Sequence, residues 1–259
     1  MLPTRLEIIP TQGIVPAVLA QVPTSTTLTV TCLPHHGVER TVETAVALAG
    51  HGFTVVPHLA ARSINSREQL ARLMRSAAGE GITEIFAVGG DAAVPAGPYP
   101  SSESLMREIA ELSGLTVKMG VAGYPEGHPS VSDAQLMESL HAKAELADHV
   151  VTQMCFSAST IGNYMAALRR EGVTLPVWAG VAGAVPRTKL VLLAAKIGVG
   201  SSLRFISGKG LLGRHLLSGS RYQPAKLVAD LTALAAPPAG VHLYTFNQLD
   251  PAPAPDMAG

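Results

Sequence analysis

Eight short apolar runs recur along the chain: LEIIP (6–10), TLTVTCL (27–33), TVVPHLA (54–60), EIFAVGG (84–90), KMGVAGY (118–124), HVVTQM (149–154), PVWAGV (176–181) and VHLYTF (241–246). Most are apolar at successive positions, a pattern that suits strands covered on both faces. Segments with helical spacing lie between them. Val42, Ala45, Val46 and Leu48 share one side of 38–52, which ends at a glycine suited to a helix C-terminus. Ser66 is placed to cap a helix that turns Leu70, Leu73 and Met74 inward. SSESLMREIAELSG, SDAQLMESLHAKAELA and SASTIGNYMAALRREG repeat the form. Strand, helix, strand at this spacing implies right-handed βαβ units. Eight of them with no change of helix side predict an α/β fold, a (β/α)8 TIM barrel, as a single domain over 1–259. A doubly wound open sheet is the alternative.

Two stretches depart from an ideal barrel. Arg187 to Pro237 separates the last two strands and reads as a helical insert of two or three helices. After the last strand the chain runs into PAPAPDMAG, which cannot form a regular final helix. Residues from about 250 to 259 are therefore expected to be a flexible tail. The flank left open needs cover from the insert or from a second copy, so monomer and homo-dimer both fit.

Composition narrows the function. Apolar residues make up 47% of the 259 and charged ones 15%, enough for a large core. The formal net charge of zero gives no electrostatic footprint for nucleic acid or an anionic membrane. No apolar run reaches the roughly 18 residues of a membrane span, and MLPTRLEIIP lacks a signal-peptide core. Cys32 and Cys155 fall in apolar segments and read as buried free thiols of a reducing, cytoplasmic setting.

In a (β/α)8 barrel, chemistry sits where the strands end. Those ends carry Glu7; Cys32, His35 and His36; His58; Asp91; Tyr124, Glu126 and His128; Thr152 and Gln153; Tyr244 and Asn247. Glu7 is an acid inside an apolar strand. Ionised there it costs several kcal/mol unless paired, or its pKa rises until it keeps its proton. A carboxylic acid of that kind suits general-acid chemistry; a strand-end salt bridge is the other reading. Asp91 follows Gly89 and Gly90, which permit close backbone approach, and reads as a ligand contact or a turn aspartate. Gln153 offers an amide donor and acceptor, to a ligand or to the fold. His35, His36, His58 and His128 lack any recognised metal spacing, so no metal is expected. GVGSS (198–202) is similar to a phosphate-binding glycine turn but follows a helix.

Together these segments resemble the methylenetetrahydrofolate reductase family. LEIIP is similar to that family's first-strand motif and PHLAAR to its third. VGGD stands where the family has Arg-Gly-Asp. AGYPEGHP matches its fifth-strand signature almost letter for letter. VVTQMCF is similar to its Thr-Gln-aromatic run, and GVHLYTFN closely resembles its last strand. The resemblance implies reduction of 5,10-methylenetetrahydrofolate to 5-methyltetrahydrofolate with NADH or NADPH, in the family usually through FAD. It makes Glu7 the general acid that opens the methylene bridge at N10. Asp91 would bond the pterin and Gln153 would hold the folate. His58, Gly89, Gly90, Tyr99, Ala122, Tyr124, His128 and Lys143 would take the nucleotide-pocket positions.

Several of those positions depart from the family. Gly89 replaces an arginine that faces the flavin diphosphate. Pro100 follows the pocket tyrosine and has no N–H. Leu136 or Gln135 stands where the family has a ribose-binding aspartate, and Met154 and Cys155 replace aromatics. The folate residues are kept while FAD contacts are lost, which implies direct hydride transfer from NADH or NADPH. A folate-binding barrel without redox activity and a metal-dependent hydrolase or lyase are the competing readings.

Overall fold

The computed structural model describes residues 2–112, 114, 116–187, 190 and 221–249. In it eight parallel strands pair in chain order and close: β1 (Thr4–Ile8), β2 (Thr27–Val30), β3 (Val55–Ala60), β4 (Glu84–Val88), β5 (Lys118–Gly123), β6 (His149–Thr152), β7 (Val177–Ala182) and β8 (Gly240–Tyr244). The outer layer holds α1 (Ile14–Gln21), α2 (Gly37–Ala49), α3 (Arg67–Gly79), α4 (Ser102–Glu111), α5 (Asp133–Ala144), α6 (Ala158–Arg170) and α7 (Ala225–Thr232). This is the expected (β/α)8 barrel.

Local chemistry sets the helix ends. The Ser66 hydroxyl accepts the Gln69 amide at 3.1 Å and starts α3. Ser101 and Ser132 form capping boxes at α4 and α5. After α2, Gly52 takes φ 88° and Phe53 N–H closes on the Leu48 carbonyl at 3.3 Å. Helix α1 has no counterpart in the sequence reading. Its stretch IVPAVLAQ is apolar almost throughout, so no helical stripe stands out. Pro16 is tolerated because it lies in the first turn, where backbone N–H groups have no helical partner.

The main apolar core lies between strands and helices, with Leu59, Leu70, Leu105, Ile109, Val121 and Ile161 among its members. Leu227 and Leu231 of α7 join it. Most of the expected insert lies outside the described residues, as do GVGSS and the proline-rich tail. Where an eighth helix would begin, Leu249 is buried in a cluster with Ile14, Val18 and Leu48. Cys155 is buried as expected, and Cys32 is half-buried. Among the described residues no helix is long and apolar enough to cross a membrane.

Polar side chains cross one end of the barrel lumen. Strand β1 pairs only with β2 and β8, so its contacts with β4, β6 or β7 must cross the interior. Arg5 on β1 forms an ion pair with Glu84 on β4 and lies 4.0 Å over the Trp178 ring on β7. His149 on β6 sits 3.4 Å from both the guanidinium and the carboxylate. A Cβ at Gly240 would collide with the Trp178 ring, so the indole needs glycine there. These side chains close the N-terminal end of the barrel.

Candidate active site

One layer further along, Glu7, His58 and His242 meet in the lumen. Alternation on β1 puts Arg5 and Glu7 on the same face; the same rule pairs Val56 with His58 on β3 and His242 with Tyr244 on β8. Glu7 Oε2 lies 2.9 Å from His242 Nε2 and 3.8 Å from His58 Nε2. The Glu7 side chain is 13% exposed and that of His242 2%. Glu7 is thus paired inside the lumen, at hydrogen-bond distance from His242. Tyr244 stands next to them, its ring 4.9 Å from His242 and its hydroxyl donating to the Thr152 carbonyl at 3.0 Å. Burial first, then the charge of Glu7, holds the Tyr244 phenol well above its usual range.

Burial drives His58 down to about 4, only partly offset by Glu7. His149 is likewise held at about 4, by burial and then by Arg5. Both imidazoles are neutral in the fold at pH 7. Their ordinary value is 6.5, so between 6.5 and about 4 the unfolded chain takes up protons that the fold refuses. Stability is therefore expected to fall as pH drops through that window, by at most about 1.4 kcal/mol per pH unit for each histidine. Urea midpoints at neutral pH and near pH 5 test this. His149→Gln should flatten the slope, and an unchanged slope would show that His149 accepts its proton without unfolding.

The mouth carries the rest of the candidate residues. Tyr124 and His128 stack edge to face at 5.3 Å. Burial first, then Asp91, raises the Tyr124 phenol, which places Asp91 and Tyr124 in one electrostatic neighbourhood. Asp91 is exposed on a turn shaped by Gly90, which has φ 88° and would put a Cβ 3.2 Å from Ala60. Gln153 accepts the Met154 amide at 3.0 Å through its side-chain oxygen, and its amide nitrogen makes no hydrogen bond among the described residues. Ala122 is half-buried against Phe86 and Val151.

Not every expected residue gathers there. His58 sits with Glu7 in the lumen. Tyr99 is 2% exposed and buried in the main core, electrostatically coupled to Glu108 and Arg67 of the outer helices. Lys143 is buried, with Nζ 3.4 Å from Ser102 Oγ at the start of α4, and burial lowers its pKa. The four histidines weighed for zinc share no centre: His35 and His36 stack at 4.2 Å before α2, His58 is in the lumen, and His128 is at the mouth. The compact group is instead Glu7, His58 and His242, with donor atoms within 4.8 Å of one another. Its 2.9 Å contact pairs Glu7 Oε2 with His242 Nε2 at hydrogen-bond distance. The sequence reading passed over His242. The signal was the one that drew attention to Glu7: a titratable side chain inside an apolar strand.

Neither of the two departures, Gly89 and Leu136, carries a charged side chain. Gly89 presents no side chain, and nothing lies within 4 Å of where its Cβ would be. Beside it, Arg62 donates Nε to Pro100 O at 2.9 Å and Nη1 to Ala92 O at 3.1 Å, which ties down the loop after β4. Leu136 is half-buried on α5 and offers no hydrogen bond to a ribose. Gly89 and Leu136 thus lack the charged side chains that the resemblance led one to expect at a flavin site.

A family model described as methylenetetrahydrofolate reductase matches residues 19–192. That span leaves out β1 and β8, which carry Glu7 and His242. The "Probable methylenetetrahydrofolate reductase (NADPH)" of Caenorhabditis elegans is 31% identical over 139 residues, covering 50% of this chain and 20% of the worm protein. Methylenetetrahydrofolate reductase 2 of Saccharomyces cerevisiae is 30% identical over 89 residues, 33% of this chain and 15% of the yeast protein. The matches thus span a fifth or less of those relatives. Among solved structures, a "putative lyase/mutase" from Burkholderia cenocepacia J2315 aligns with TM-score 0.51 over 96% of this chain and 78% of the other. At 15% identity that likeness concerns the fold alone.

Proposed function

The chain belongs to the methylenetetrahydrofolate reductase family, and on that premise we propose that it reduces 5,10-methylenetetrahydrofolate to 5-methyltetrahydrofolate with hydride taken directly from NADH or NADPH, without bound FAD. The observation that carries this reading is Glu7, an acid paired with His242 at the inner end of a lumen whose mouth holds Asp91 and Gln153. Glu7 gives its proton to N10. The bond from N10 to the methylene carbon breaks with its electron pair staying on nitrogen, and N5 forms the iminium. Hydride from the nicotinamide adds to that carbon, and a solvent proton restores Glu7. Asp91 bonds the pterin, the free amide of Gln153 holds the folate, and Tyr124 and His128 wall the nicotinamide nucleotide.

The test is consumption of NADH or NADPH that depends on methylenetetrahydrofolate, with the methyl product identified by mass. Absence of that product with either nucleotide, with and without FAD, overturns the proposal. Asp91→Asn and Gln153→Ala should divide the two ligands. Each is expected to weaken folate binding by about one to two decades and to leave nucleotide affinity within about threefold. Binding titrations measure both, and equal loss of NADH affinity would contradict the assignment.

A further inference from the structure

We infer that His242 is a positioning residue for Glu7: its Nε2–H aims the carboxylate and holds the anion left when the proton passes to N10. The inference rests on the reductase reading. His242 comes from the last strand and Glu7 from the first, yet their atoms lie 2.9 Å apart in a lumen where His242 is 1% exposed. The ring direction of the bond follows from the other nitrogen. His242 Nδ1 is buried with no partner among the described residues. Were Glu7 to donate to Nε2, the ring proton would sit on Nδ1 as a buried, unpaired donor. With the proton on Nε2, only an acceptor is left bare, the less costly arrangement. A hydrogen bond of this kind strengthens once the carboxylate is ionised.

Among the described residues the task falls to His242 alone. His58 Nε2 is 3.8 Å from the carboxylate, too far for a hydrogen bond, and is itself orphaned. The other ionisable groups around the imidazole are Arg5 on β1, level with it in the sheet register, His149 on β6, and Tyr244 on its own strand. Arg5 is committed to Glu84, and Tyr244 to the Thr152 carbonyl. Glu7 Oε1 makes no hydrogen bond among the described residues, which leaves one oxygen for the substrate proton while the other is fixed. In the step itself Glu7 loses a proton, N10 gains it, and His242 keeps its own.

Three measurements test this. His242→Ala should lower kcat by about 10–100-fold, with KM for the folate within about threefold, because one charge-assisted hydrogen bond to the developing anion is lost. The pH at which kcat falls should move upward by about one unit, since the carboxylate has lost a donor. His242→Gln, whose amide N–H replaces Nε2–H, should regain most of the rate; a plain packing role predicts no such recovery. Independently of turnover, ring-nitrogen NMR of the free wild-type protein should show the Nε2-protonated tautomer. An Nδ1-protonated ring, or His242→Ala with wild-type kcat and pH profile, would overturn the inference. So would a stoichiometric divalent cation in purified wild type that is lost in His242→Ala. A wild type that reduces no folate sinks the reductase reading instead, and the tautomer still decides the pair.

Discussion

Glu7→Gln is expected to leave the barrel folded and folate bound while cutting turnover by about 10²–10⁴-fold, the usual worth of a general acid. The substitution is nearly isosteric. The glutamine carbonyl can still accept Nε2–H of His242, so the pair that links β1 to β8 survives. What is lost is the proton. N10 of the folate is then a poor leaving group, and the iminium that accepts hydride does not form. Two readouts separate this from a folding defect. Thermal unfolding should stay close to wild type, and the acidic-to-neutral limb of the pH profile should vanish. Glu7→Ala is a harsher variant, because it leaves His242 buried with no partner for either nitrogen. If Glu7→Gln turns over methylenetetrahydrofolate at a rate near wild type, Glu7 is structural.

Purified protein is expected to be colourless and to need no FAD. A diphosphate without its arginine at Gly89 and a ribose without a carboxylate near Leu136 each forgo about 1.5–3 kcal/mol of charge-assisted hydrogen bonding. Together that is roughly two to four decades of flavin affinity. With no flavin to alternate between half-reactions, both substrates must be bound at once. The nicotinamide C4 then has to lie about 3–3.5 Å from the methylene carbon. Initial-rate plots should intersect in a ternary-complex pattern, where a flavoenzyme gives parallel lines. Near-stoichiometric FAD in the preparation, or activity that appears only when FAD is added, would return the chain to the flavin-dependent class.

Much of the fold could be read from the chain because its strands are apolar on both faces. That pattern excludes a half-solvated sheet and leaves few ways to bury eight strands. Ser66 could be read as a cap because capping is local. Helix α1 could not, because a segment apolar all round has no direction. The lumen floor was also hidden: Arg5, Glu84 and His149 look like ordinary strand-end charges until closure brings β1, β4 and β6 together. His242 was hidden for the same reason. A histidine in VHLYTF shows no face until the barrel does. Tyr99 and Lys143 show the converse limit: motif order groups them with the pocket but does not tell that both are buried.

The ion pair and indole that stop the N-terminal end of the barrel make it a cup with a single rim. On the proposed reading, a barrel filled at that end by Arg5, Glu84 and Trp178 takes in both substrates, and releases both products, at the opposite end. If pterin and nicotinamide stack one above the other over Glu7, the lower one has to arrive first and depart last. The order of binding would then be compulsory, written into the molecule by Arg5, Glu84 and Trp178 at the end of the barrel away from Glu7.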